Sequence, residues 1–110
     1  MFQKDMNIAY LLDFYGDVLS DRKKAVLDDY YNNDLSLSEI ASELGISRQG
    51  VRDLIKKSED ELNFYEQKLQ LASRFKEAGE HAEALRQLSQ RHALPEEVLR
   101  EIHALEDCIR

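Results

Sequence analysis

The residues with the clearest chemical periodicity are Arg48, Arg52 and Lys56, cations recurring at every fourth position, with Lys57 beside the last and Gln49 beside the first. On a helix this spacing lays one basic stripe along a face. Such a stripe fits a nucleic acid, with Arg48 and Gln49 near base edges and Arg52, Lys56 and Lys57 toward phosphates. Ser38, Ser47 and the cluster Arg22-Lys23-Lys24 could add contacts to the backbone. The competing reading is a solvated face whose charge is balanced by Asp53, Glu59 and Asp60. Other chemistry is poorly supported. His81, His92 and His103 are spaced eleven residues apart, but Pro95 separates the last two and no carboxylate joins them at a ligand spacing such as His-Glu-x-x-His. No metal site and no cofactor are expected. There is no glycine-rich phosphate loop, nucleophile elbow or Cys/His pairing, and carboxylates on polar helix faces single out no catalytic pair. The expectation is a protein that is not an enzyme. The single cysteine, Cys108, excludes an intramolecular disulfide and a cysteine zinc knuckle, and reads as a semi-buried thiol on the last helix.

Elements that could carry such a stripe must be helices. Leu, Ala, Glu, Lys, Arg and Gln dominate the 110 residues, while Gly (4) and Pro (1) are too scarce for many turns. With 43% hydrophobic and 34% charged residues the chain has enough apolar material for one core and an extension. No apolar run approaches the roughly 20 residues of a membrane span. The opening MFQKDMNIAY lacks the pattern of a signal peptide or lipid anchor, and a cytoplasmic protein is expected. Fifteen basic residues against 22 acidic give a net charge of -7, which argues against a surface built wholly for phosphate backbones. The distribution is uneven: residues 1–35 carry -3, residues 36–58 carry +1, and residues 59–110 carry -5. A nucleic-acid site belongs in the middle segment.

Five or six helices and no strands follow from the patterning. Ile8, Leu11, Leu12 and Tyr15 form the stripe of a first helix, stopped by Gly16. Ser20 caps a second, with Ala25, Val26, Leu27 and Tyr30 toward its inner face, and Asn32-Asn33-Asp34 closes it. Ser36 and Glu39 have the spacing of a capping box. The stretch from Leu37 to Leu54 then has the spacing of a helix-turn-helix: Ala41 where the helices approach, Gly45 in a left-handed turn, Ser47 as the second cap. Ile40, Leu44, Ile46, Val51 and Leu54 take the inward positions.

The second helix of the motif meets no breaker before Gly79. Along it Val51, Ile55, Ser58, Leu62, Tyr65, Leu69 and Ala72 alternate by four and three, the spacing of a coiled-coil seam. The seam, with Val51, Ile55, Leu62, Tyr65 and Leu69 as its core, could pack within the chain or across the two-fold axis of a homodimer. Residues 80–90 and a helix bearing Val98, Ile102, Leu105 and Ile109, with Pro95 at its first position, form two short amphipathic helices. The expected organisation is a helix-turn-helix domain over 1–72, with its motif at 36–58, and a helical extension over 73–110.

The chain resembles the YlxM-like small helix-turn-helix proteins, whose domain is similar to region 4 of bacterial sigma factors. The resemblance is carried by Tyr10-Leu-Leu-Asp-Phe-Tyr15, Tyr30 and Tyr31, Leu35-Ser-Leu-Ser-Glu-Ile-Ala41, Gly45-Ile-Ser-Arg-Gln49, Val51 to Lys57, and Tyr65-Glu-Gln-Lys-Leu69. It implies an all-α bundle, sigma region 4-like, with a long recognition helix and a C-terminal extension. It further implies an accessory or regulatory role in the signal recognition particle pathway of co-translational targeting. The ligand would then be promoter DNA, the RNA of the particle, or a targeting GTPase docked on the helix-turn-helix as a scaffold. The chain departs from the family pattern at Gly50-Val51-Arg52, where alanine, valine and tyrosine are usual.

Overall fold

A computed structural model describes residues 4–109 and contains, among them, helices and turns but no strand. The chain divides into two compact units, Met1–Gln70 and Leu71–Arg110. The boundary lies two residues before the expected one. It falls at Gln70, which adopts a left-handed conformation (φ 56) and ends the long fourth helix.

The first unit begins with α1 (Met6–Tyr15), whose N-terminus is held by Asp5 accepting from the Asn7 amide at 2.9 Å. Its buried residues are the anticipated stripe Ile8, Leu11, Leu12 and Tyr15. Gly16 does not reverse the chain: at φ -55 it continues into a 3-10 turn, Gly16–Val18. What favours glycine there is crowding, since a Cβ would stand 3.3 Å from Leu12 Cδ1.

The second helix, α2 (Asp21–Leu27), is capped by Ser20 and passes into a π-helical turn, Asp28–Asn32. Val26, Leu27 and Tyr30 are buried, but Ala25 is exposed, contrary to expectation. The wide turn needs the inner surface on 26, 27 and 30, and position 25 rotates to solvent. Asn32 and Asn33 close the turn by donating to the carboxylates of Asp28 and Asp29 at 2.9 and 3.1 Å.

Next come α3 (Leu37–Leu44) and α4 (Arg48–Leu69), and α4 packs against α1, α2 and α3. Val51, Ile55, Ser58 and Leu62 are fully enclosed. Each large apolar side chain there contributes about 1.5–3 kcal/mol. Ser58 satisfies its hydroxyl on the helix itself, donating to the Leu54 carbonyl at 2.7 Å. The a/d run is therefore closed within the unit as far as Leu62, and Val51, Ile55 and Leu62 do not form an intermolecular seam. Beyond it Tyr65 is half-buried, its ring 6.0 Å from that of Tyr15, and Leu69 is 50% exposed.

The second unit is a hairpin of α5 (Leu71–Arg91) and α6 (Glu96–Ile109). Gly79 does not break α5. It lies inside the helix, where Ile109 Cγ2 would stand 3.6 Å from an added Cβ, so its small size admits a close helix crossing. Arg86 grips Glu106 through Nε at 2.7 Å and a second guanidinium nitrogen at 2.5 Å. The pairings 79 with 109 and 86 with 106 make the hairpin antiparallel. Pro95 stands immediately before α6 rather than at its first position, its carbonyl accepting from Val98 and Leu99. Cys108 is exposed rather than semi-buried.

Candidate nucleic-acid interface

The helix-turn-helix is assembled by local chemistry. Ser36 accepts from the Glu39 amide and the Glu39 carboxylate accepts from the Ser36 amide, both at 3.1 Å, closing the capping box at the start of α3. Gly45 takes φ 68 and donates to the Ala41 carbonyl at 2.9 Å, and Ile46 donates to the same oxygen at 3.2 Å. Ala41 is buried where α3 meets its neighbours. Ser47 then starts α4 by accepting from the Gly50 amide at 2.9 Å. Of the expected inward residues Ile40 and Val51 are enclosed, whereas Leu44, Ile46 and Leu54 are only half-buried. Ile46 and Leu54 line an open depression of about 240 Å³, shared with Arg22, Gly50, Asp53 and Lys57.

The proposed basic stripe does not materialise as one outward line. A step of four residues overshoots a helical turn by about 40°, so Arg48, Arg52 and Lys56 spiral around α4. Arg52 is carried to the flank. It is half-buried, its Nε is enclosed without a hydrogen-bond partner, and its charge reaches the Tyr30 hydroxyl. Burial is nevertheless the dominant influence on Tyr30 and pushes its pKa up. On the outer side Gln49 donates to Asp53 at 3.0 Å, and Lys56 donates to Asp60 at 2.9 Å. The hydrogen bond to Asp60, helped by its charge, raises the Lys56 pKa. Both pairs have i,i+4 spacing and follow the competing expectation of a face balanced by Asp53 and Asp60.

The Arg22-Lys23-Lys24 cluster is also largely committed. Lys24 binds Asp17 at 2.6 Å, lowering the Asp17 pKa. Lys23 donates to Glu61 at 2.9 Å, and Tyr65 donates to the same carboxylate at 3.0 Å. The hydrogen bond from Lys23 leads in holding the Glu61 pKa below the ordinary carboxylate value. Tyr31 donates to Glu59 and accepts from the Asp5 amide at 3.3 Å; burial first, then Glu59, raises its pKa far above the usual phenol.

Among the described residues of the first unit, the cations left exposed and outside any ion pair are Arg22, Arg48 and Lys57 around the helix-turn-helix and Lys68 near the C-terminal end of α4, over the Phe64 ring. Arg22 and Lys57 line the same depression, and Arg48 opens α4. Ser38 is exposed on α3, and Ser47, though its oxygen is engaged as a cap, is exposed as well. Sequence periodicity did not join Arg22 to Lys57, because they meet only when α2 packs on α4. Of the three histidines, His81 lies 3.8 Å from Glu77, His103 lies near Glu106 and Asp107, and His92 lines a groove of the second unit. No three metal-donating side chains come together among the described residues. Nor is any helix among them long and apolar enough to cross a membrane.

Comparison with known proteins matches residues 2–102 to the family described as "Putative helix-turn-helix protein, YlxM / p13 like". The UPF0122 protein BH2485 of Halalkalibacterium halodurans is 36% identical over 106 residues, covering 96% of this chain and 97% of that protein. The UPF0122 protein BCAH187_A3894 of Bacillus cereus is 39% identical over 107 residues, covering 96% and 97%. The UPF0122 protein TTE1463 of Caldanaerobacter subterraneus is 44% identical over 80 residues, covering 73% and 68%. With its capped helix pair, left-handed Gly45 and whole-length similarity, the chain belongs to the UPF0122 family of YlxM/p13-like helix-turn-helix proteins.

Proposed function

We propose that the first unit binds duplex nucleic acid through the N-terminal turns of α4 and the adjoining depression. The observation that carries this reading is selective: Lys4, Lys23, Lys24 and Lys56 are held by carboxylates within the unit, while Arg22, Arg48 and Lys57 are left exposed around the helix-turn-helix. Arg48 and Gln49 stand where a recognition helix meets base edges, Gln49 exchanging its bond to Asp53 for one to a base. Arg48, at the edge of the groove, supplies phosphate contacts together with Lys57 and Arg22, joined by the hydroxyl protons of Ser38 and Ser47. Lys56 contributes less because Asp60 holds it, and Arg52 supports the flank of α4. A helix of this kind enters the major groove of B-form DNA but not the deep, narrow major groove of A-form RNA.

The protein acts in this account without catalysis, as an accessory or regulator. Its place in the signal recognition particle pathway is supported by family resemblance alone. The test is an anisotropy titration of the full chain against a random DNA duplex and against the particle RNA, with the Arg48→Ala/Lys57→Ala variant alongside. Duplex binding that the variant loses supports the proposal. Unchanged binding by the variant refutes it, and a tenfold preference for the RNA, about 1.4 kcal/mol, refutes the major-groove assignment. Absence of nucleic-acid binding favours the scaffold reading, in which a targeting GTPase docks.

A further inference from the structure

The second unit presents a hairpin whose apolar side is open. Only Ala72 and Ala82 are buried among its described residues, and both are small. The larger residues remain substantially exposed: Leu85 42%, Leu88 44%, Leu94 37%, Val98 38% and Leu105 43%. With Ile102 they line one groove of about 660 Å³ running between α5 and α6. A unit of 40 residues, Leu71–Arg110, lies at the size where a domain usually needs oligomerisation or another staple to persist. The hydrophobic effect therefore demands a cover for this groove.

We propose that the cover is a second copy of this chain, the two hairpins packing face to face as a four-helix bundle about a two-fold axis parallel to the helices. Area supports this occupant. The exposed portions of the groove side chains amount to on the order of 400 Å² of apolar surface, within the size range of the largest patch on a monomer, which is often a functional one. One side of a standard interface buries about 800 Å², a little over half of it apolar, so one copy supplies about the apolar share required.

The rim charges favour self-association. Helical periodicity puts Arg91 at the outer edge of α5 near the loop, and Glu97 and Glu101 at the outer edge of α6 near the same end; Glu101 lines the groove. Arg91 carries no ion pair within the chain among the described residues. A two-fold parallel to the helices sets α5 of one copy against α6 of the other, antiparallel. Each Arg91 then faces the partner copy's acidic edge, and the contact occurs twice. This dimer does not depend on the nucleic-acid reading, and it differs from one built on the α4 seam, which α1 closes within the chain.

Sedimentation equilibrium of the full chain over roughly 1–100 μM tests it. The expected mass is twice the 12.8 kDa of the chain, and Leu88→Glu or Leu105→Glu should lower association at least tenfold. Arg91→Glu should weaken it roughly three- to tenfold, and Arg91→Glu combined with Glu101→Arg should restore most of the loss. Because the charge variants alter only exposed side chains, they keep the test valid if a groove variant unfolds the hairpin. A monomer throughout the range overturns the proposal. So does a dimer indifferent to Leu88→Glu, or a charge swap that fails to rescue.

Discussion

Gly45→Ala isolates the backbone strain on which the helix-turn-helix depends. Gly45 holds φ 68, and no atom lies within 4 Å of the position an added Cβ would take. The substitution therefore introduces no external clash, and its cost is conformational. A left-handed conformation costs an L-residue about 1–2 kcal/mol. Loss of glycine's freedom in the unfolded chain returns about 0.4–1 kcal/mol, leaving a net destabilisation of about 1 kcal/mol. For a domain of this size that corresponds to a fall in Tm of about 4–8 °C. Thermal melts at 222 nm, paired with urea titrations of unchanged m-value, read the effect directly. Gly45→Asn is the control, because asparagine tolerates the left-handed region and should lose less than half as much. A Gly45→Ala protein melting at or above the parent temperature would refute the argument, as would an asparagine variant that is the less stable of the two.

Three further outcomes follow from the geometry. Gly79→Ala should stabilise α5 by up to about 1 kcal/mol, because Ile109 Cγ2 stands at an ordinary 3.6 Å; a lower melting temperature for the second unit would show the helix crossing to be tighter than that. Arg52→Met, which keeps an unbranched stem while removing the enclosed Nε, should raise stability by about 1 kcal/mol and leave duplex affinity largely intact. A destabilised Met variant, or one that loses binding as Arg48→Ala does, contradicts the flank assignment. The depressed Glu61 pKa means that the folded state releases this proton more readily than the unfolded chain. Its contribution is present above the ordinary value of 4.5 and is lost as pH falls through the depressed one. Urea midpoints measured from pH 6 to 3 should fall less steeply for Lys23→Met than for the parent, and parallel acid limbs would exclude Lys23 as the cause.

Local chemistry was the legible part of the fold. Ser36 with Glu39, Gly45 and Ser47 each act on backbone groups within a few residues, so their spacing alone announces the two caps and the turn. Burial of Ile8, Leu11, Leu12 and Tyr15 was legible for a similar reason, since helical periodicity repeats over several turns. Two boundaries were not. Gln70 occupies a left-handed position that its residue type does not advertise, while Gly79, which does invite a break, is used for close packing.

At the candidate site, distance along the chain set the limit. The Lys23–Glu61 pair spans 38 residues and the Arg22–Lys57 depression joins α2 to α4, so neither has a local signature. The i,i+4 pairs Gln49–Asp53 and Lys56–Asp60 did have one. Those carboxylates were legible as a balance to the cations, but the sequence did not show which cations they would hold and which they would leave exposed. Arg52 shows a geometric error, because equal spacing by four is not a straight line on an α-helix. The open face of α5 and α6 follows from the hairpin geometry, which sets Leu85 and Leu88 beside Val98 and Leu105.

The central claim is that three cations, Arg22, Arg48 and Lys57, carry phosphate recognition by the first unit. The direct measurement is the salt dependence of binding to a DNA duplex of about 12 base pairs, one half-site long. Each neutralised phosphate contributes about -0.9 to the slope of log K against log salt, which predicts about -2.7 per bound unit. Arg22→Ala, Arg48→Ala and Lys57→Ala should each make the slope shallower by about 0.9, whereas Lys24→Ala, removing a cation already bound to Asp17, should not. A slope unchanged by the first three substitutions, or reduced equally by Lys24→Ala, would contradict the account.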